Sequence, residues 1–203
     1  MTITDRTTIY DAAGTRVGSQ EGRRASFTSF EESTREDWAI IGSHFAETQA
    51  LAADNIVRQL EMLGHDHGGF PVTRLEHSLQ TATRAERAGR DDEYVLCALV
   101  HDIGDTLAPY NHPEVAAAIV KPFVSEANHW MVEHHGIFQG YYFWQHLDGD
   151  RNTRDKYAGS PHYAHTEEFC ALYDQVAFDA TYTSNPLEHY VPLLRQFFDP
   201  KAA

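Results

Sequence analysis

Apolar residues recur at three-, four- and seven-residue intervals along most of the chain, and the phase changes at glycines, prolines and capping residues. After Ser33-Thr-Arg-Glu36, a capping-box pattern, the residues Trp38, Ile41, Phe45, Ala52, Ile56, Leu60 and Leu63 fall on one stripe and predict a long amphipathic helix stopped at Gly64. A loop, His65-Asp-His-Gly-Gly69, leads to a helix over Thr73 to Arg87, with Leu75, Leu79, Ala82 and Ala85 inward and Gly89 as its stop. Asp91 and Asp92 can cap the next helix, the apolar run Tyr94 to Val100, which Gly104 ends. Pro113 suits the first turn of a helix that runs to Val120, and Ser125 can cap another in which Trp130, Met131, His134 and His135 lie on adjacent stripes. Gly136 to Pro161 reads as a long irregular loop or a pair of short helices. A helix beginning at Thr166 places Phe169, Leu172, Val176 and Asp179 on one face, and Leu187 to Phe198 closes the chain with Tyr190, Leu193, Leu194 and Phe197 inward.

No strand, repeat or linker stands out, so the expected fold is an all-α, bundle-like domain over residues 31–203. Residues 1–30 are polar and aperiodic, and are expected to form an arm that is either poorly ordered or packed on a second subunit, giving a homodimer. The first 22 residues lack the apolar core of an export signal, and no stretch approaches the roughly 20 apolar residues that cross a bilayer. A cytoplasmic protein with no membrane partner is expected. With 16 Lys and Arg against 30 Asp and Glu, a net charge of -14 excludes a phosphate-neutralising surface, hence no nucleic-acid partner. Cys97 and Cys170 sit in helical apolar patterns and read as buried free thiols.

The residues that carry chemistry are His77, the pair His101-Asp102, His112, His135 and Asp179, each on or beside a predicted helix. One metal would need only His77, the His-Asp pair and Asp179; His112 and His135 raise the expected number to two, about three protein ligands for each. Asp102, adjacent to a ligand histidine, is the natural bridge. Imidazole nitrogen with carboxylate oxygen suits iron, manganese, cobalt or zinc. His134 beside His135 leaves the choice of ligand at that turn open, with His135 favoured. His65 and His67 are lid or solvated loop residues, Tyr141 to Trp144 are packing residues, and His129, His146, His162 and His189 are surface residues.

The order of these residues, with Leu75-Glu-His-Ser-Leu-Gln80 around the first histidine, resembles the HD-domain superfamily, and within it the mixed-valent diiron oxygenases. The likeness is to the 2-amino-1-hydroxyethylphosphonate dioxygenase type, with myo-inositol oxygenase more distant, and runs from about Leu63 to Tyr190. It implies an HD-type helical bundle in which His77, His101, Asp102, His112, His135 and Asp179 hold two irons, Fe(II)/Fe(III), with dioxygen as co-substrate and a small organic molecule chelated to one iron.

Where that family carries a lid Tyr and Glu, this chain has His67 and Phe70; where a histidine often follows the His-Asp pair, it has Asp105. His67 and Asp105 are therefore the candidate catalytic residues. The lysine and arginine that grip a phosphonate align with Gln139 and Val176, so Gln139 with Arg151, Arg154 and Lys156 becomes the candidate substrate site, a relocated anion grip. The expected activity is oxidative cleavage or hydroxylation of a small, polar, anionic substrate. The alternative is a metal-dependent phosphohydrolase acting on a small phosphate ester or nucleotide, with manganese, cobalt, nickel or zinc in place of iron.

Overall fold

The computed structural model describes residues 9–10, 16–17, 22–65 and 67–199. The chain divides into two compact units, residues 1–52 with 199–203, and residues 53–198. This boundary does not coincide with the one expected near residue 30, and most of the expected arm lies outside the described residues.

In the first unit, β1 (Ile9–Tyr10) and β2 (Arg16–Val17) pair antiparallel with Ile9 opposite Val17, a short ladder that the apolar pattern does not reveal. A 3₁₀ turn at Phe30–Glu32 precedes α1 (Arg35–Ala50). The capping box is shifted by one residue from expectation: Thr34 accepts from the Asp37 backbone and Asp37 accepts in return, while the Ser33 hydroxyl bonds Phe30 O at 2.6 Å. The single long helix expected here is two. Leu51 leaves the helical region at ψ 3° and its N–H turns to Gln49 and Thr48, ending α1 before α2 (Ala52–Met62) begins.

The second unit is built around a helix that is apolar on every side. In α4 (Asp92–Val100) every residue from Tyr94 to Val100 is buried, which is how a helix behaves when neighbours surround it. Asp91 caps it by accepting from the Tyr94 backbone. Leu96 and Leu99 are fully buried, and truncating either to alanine costs about 2–5 kcal/mol. Against α4 pack α3 (Arg74–Arg87), α6 (Glu126–Phe143) and α8 (Leu187–Phe198). The helix α5 (His112–Val120), with proline in its first turn as expected, packs on α6. In α8 the buried residues include Tyr190, Leu194 and Phe198, so Phe198 takes the inward place expected of Phe197.

Two segments depart from the pattern. Helix α6 does not end at Gly136 but continues to Phe143, and its glycines admit close neighbours: a Cβ on Gly140 would lie 2.3 Å from the Trp144 ring. Two 3₁₀ segments follow, Trp144–Leu147 and Arg151–Tyr157, separated at Asp148, whose φ is 56°. The next helix, α7 (Tyr163–Phe169), begins earlier than expected and runs into a π-helical turn, Cys170–Asp174, after which the helix stops. Its buried side is Thr166, Phe169, Cys170, Tyr173 and Asp174, while Leu172 is 53% exposed, so the face expected from Phe169, Leu172, Val176 and Asp179 is not the inner one. No helix among the described residues is long and apolar enough to cross a membrane. Cys97 and Cys170 are both buried and free.

Candidate metal centre

The buried helix α4 delivers His101 and Asp102 into the interior simply by ending there: His101, its C-cap, is fully buried and Asp102 is 5% exposed. Gly104 then lets the start of α5 come close, since a Cβ there would lie 2.9 Å from both His112 O and Val115 Cβ. The capping box of Thr73 and Glu76 starts α3 so that His77, one turn in, faces the same point. The ring of Phe178 stacks on His77 at 4.4 Å. His135 arrives from the middle of α6, fully buried, and Asp174 from the end of the π-helical turn, also fully buried.

These six side chains form two connected trios. His77 Nε2 lies 3.1 Å from His101 Nε2 and 3.2 Å from Asp174 Oδ1, with His101 Nε2 3.7 Å from that oxygen. Asp102 Oδ1 lies 3.1 Å from both His112 Nε2 and His135 Nε2, while its Oδ2 lies 3.5 Å from His77 Nε2 and from His101 Nε2. One carboxylate, that of Asp102, thus turns an oxygen to each trio.

The histidine tautomers are set from outside the cluster. The Nδ1 atoms face backbone carbonyls: Ala177 for His77 (3.1 Å), Ala98 for His101 (2.8 Å), Val132 for His135 (2.7 Å) and, more loosely, Pro109 for His112 (3.4 Å). With Nδ1–H donating outward, the Nε2 lone pairs converge on one another, an arrangement that is repulsive between neutral rings and favourable around a cation. Asp174 Oδ2 is buried with no hydrogen-bond partner. Metal bonds of about 2.0–2.2 Å put neighbouring donors roughly 3 Å apart, close to the separations seen here. Nitrogen and oxygen donors, outward-fixed tautomers and an orphaned carboxylate oxygen all fit metal ions.

At His101, Asp102, His112 and Asp174 burial opposes charge, and their partners overcome it. His101 is pushed up to about 9: burial lowers it, but Asp102 and then Asp174 outweigh that. Burial likewise acts to raise Asp102, yet His101, His112 and His135 hold it well below the usual carboxylate range, and Asp174 is lowered by His101 and His77 against the same burial. His112 is raised by Asp102 and Asp105 in spite of burial. A cluster that stabilises protons on imidazoles this strongly is one in which a cation can replace them.

Asp179, the second aspartate expected in the centre, is not there. It is exposed, its carboxylate accepts from the backbone N–H and hydroxyl of Thr181 at 2.8 and 2.7 Å, and its backbone is pinned to Gln80. Helix geometry ends at Asp174, so helical spacing no longer governs position 179. Asp174 takes its place instead, and its signal in the sequence is its position among Cys170, Tyr173 and Ala177, one consistent inner face. The choice of His135 over His134 agrees with the geometry: His134 is stacked on Trp130 at 4.0 Å, with its Nδ1 facing Trp130 O.

A cavity of about 490 Å³ opens beside the second trio, with Asp102 and His112 in its wall. Phe70, Tyr142, Phe143 and Phe178 make it largely aromatic, and Asp105, Gln139 and Arg74 add polar groups. Gly68 and Gly69, at φ 55° and 83°, allow the tight turn closed by Phe70 N–H to His67 O at 2.9 Å, which seats Phe70 against Phe178. His67 itself is exposed and does not line the cavity. Gln139 does, and its amide donates to Asp174 Oδ1 at 2.6 Å.

The expected anion grip is elsewhere. Arg151 and Arg154 stack on Tyr141 at 3.9 and 3.8 Å, Arg154 pairs with Glu167 at 2.9 Å, and Lys156 lies over Tyr157, none of them in the cavity wall. Arg74 is the only Lys or Arg among the described residues lining it.

A helical domain holding six converging imidazole and carboxylate groups, with one aspartate shared between two trios, defines a metal-dependent protein. The chain belongs to the HD-domain family: the HD domain matches residues 74–178, more than half of its length. Over 66 residues it is 36% identical to a 1-hydroxy-2-(trimethylamino)ethylphosphonate dioxygenase (glycine-betaine-forming) of Leisingera caerulea, covering 27% of this chain and 34% of that protein. The matched region thus spans about a third of the relative, and the resemblance to HD-domain oxygenases holds over that part.

Proposed function

We propose that this HD protein is a non-haem diiron oxygenase that uses O2 to cleave or hydroxylate a small, polar, anionic organic substrate. The observation that carries the reading is the sharing of Asp102: one carboxylate oxygen for His112 and His135, the other for His77 and His101, with Asp174 completing the inner trio. The partial likeness to a phosphonate dioxygenase favours oxygenation over hydrolysis. Two iron ions held by these residues would supply the redox chemistry and the activation of O2.

The chain's own groups do the rest. Four neutral imidazoles and two carboxylates leave a pair of iron ions net positive, which favours an anionic chelating group on the substrate. The aromatic walls exclude water and favour an apolar or cationic remainder. Gln139 holds the Asp174 carboxylate in place, and Phe178 fixes the plane of His77.

The experiment is purification without oxygen, iron analysis and measurement of O2 uptake with small hydroxyphosphonates and hydroxycarboxylates. About two irons per chain and substrate-dependent O2 uptake are the expected result. Turnover of phosphate esters with manganese, cobalt, nickel or zinc, and no O2 uptake with iron, would assign the phosphohydrolase reaction instead.

A further inference from the structure

Three of the four histidines have their Nδ1 atoms 2.7–3.1 Å from a backbone carbonyl, and His112 differs from them. Its carbonyl contact, to Pro109, is 3.4 Å, and a carboxylate oxygen of Asp105 stands 3.6 Å from the same Nδ1. The other Asp105 oxygen is held by Arg74 Nε at 2.8 Å, and the guanidinium is braced 4.3 Å over the Phe70 ring. Gly68 is packed close behind, since a Cβ there would lie 3.2 Å from Arg74 Nη2. A continuous chain therefore runs from the glycine turn through Arg74 and Asp105 to His112 and so to the shared Asp102.

We infer that Asp105, fixed by Arg74, is a positioning residue that sets the orientation and basicity of His112, so that the Arg74–Asp105 pair governs occupancy of the second metal position selectively. This rests on the binuclear reading of the site, and it gives Asp105 a positioning role in place of the expected catalytic one. The physical ground is general: an imidazole ligand is oriented, and made a better donor, by the acceptor at its other nitrogen, and loss of that acceptor typically costs 10–100-fold in metal affinity. His112 is the ligand with the weakest backbone restraint and, at 23% side-chain exposure, the one least held by packing, whereas His77, His101 and His135 are at most 1% exposed. Dependence on a side-chain acceptor should therefore be confined to His112.

The test is anaerobic titration of the metal-stripped full chain with Co(II), following visible absorption and bound metal after dialysis, for the wild type, Asp105→Asn, Arg74→Gln and Arg74→Lys. The wild type takes up two equivalents. Asp105→Asn weakens the second by about 10–100-fold and leaves the first unchanged. Arg74→Gln shifts the second in the same direction, and Arg74→Lys restores part of the loss. Thermal melting of each metal-stripped variant checks that it is folded, and Arg74→Gln, which leaves Asp105 itself in place, gives a second reading should Asp105→Asn fail that check. Weakening at both positions or at neither overturns the inference while leaving the binuclear reading intact. A wild type that binds a single equivalent overturns both. Cobalt binding is independent of iron chemistry, so failure to consume O2 has no bearing on this outcome.

Discussion

Replacing Asp174 and Asp179 separately discriminates between the centre seen in the structure and the one expected from helical spacing. Asp174 is fully buried, faces His77 Nε2 at 3.2 Å and His101 Nε2 at 3.7 Å, and accepts from Gln139 at 2.6 Å. Asp174→Ala removes one of three donors from the inner trio and leaves His101 with Asp102 alone as its acidic neighbour. Removing one partner of a buried charge pair costs about 3–5 kcal/mol. For a domain of this size that lowers the melting temperature of the metal-stripped protein by about 6–20 °C. Metal affinity at the inner position should fall by more than the roughly 10–100-fold that outer-sphere changes produce, because a ligand itself is lost. Asp179→Ala, at an exposed turn, should leave metal content unchanged. Metal analysis after dialysis and thermal melting of both variants decide the matter. Loss of metal in Asp179→Ala with retention in Asp174→Ala would refute the assignment and the phase of the π-helical turn behind it.

Other changes test neighbouring parts of the account. His135→Ala should lose metal, because its Nε2 faces Asp102 at 3.1 Å, whereas His134→Ala should keep the full complement and lose only its stacking on Trp130; the reverse pattern would mean α6 is turned by one residue. Arg154→Ala should destabilise the fold by about 1–3 kcal/mol through lost packing on Tyr141 without altering metal content or substrate KM, and a raised KM would return this residue to the substrate site. In metal-stripped protein, His101 carries a pKa of about 9 against 6.5 for an unfolded histidine. Its contribution to stability is complete below pH 6.5 and is lost as pH rises through about 9. Asp102 and Asp174, held below 3.8, contribute above that pH and lose their contribution as it falls. Melting temperature should therefore drop toward pH 9 in stripped protein and hold in metal-loaded protein; identical pH profiles would contradict the exchange of protons for metal.

How much of this was legible in the sequence depends on where local rules govern. Thr73, Glu76, Asp91, Ser125 and Gly89 act within a turn of their own position, and the helices they bound were readable. The run Tyr94–Val100 announces a surrounded helix, which makes the burial of His101 and Asp102 foreseeable. Asp174 is not legible in the sequence because a π-helical turn ends its helix, so the helical stripe that points to Asp179 no longer holds there. The extension of α6 was hidden because Gly136 and Gly140 resemble breakers, yet Gly140 serves the close approach of Trp144. Arg151 and Arg154 are cationic and follow the fourth histidine in sequence, but only the structure shows them packed on Tyr141 and outside the cavity wall. Arg74 carries no special signal until Phe70 and Asp105 are brought to it.

The sharing of Asp102 is tested most directly by electron paramagnetic resonance of protein purified without oxygen, reconstituted with iron and partly oxidised. Two irons bridged through that carboxylate should give the signal of a magnetically coupled mixed-valent pair at about two irons per chain, and Asp102→Ala should abolish it. One iron per chain, or an uncoupled ferric signal at full occupancy, would contradict the binuclear centre.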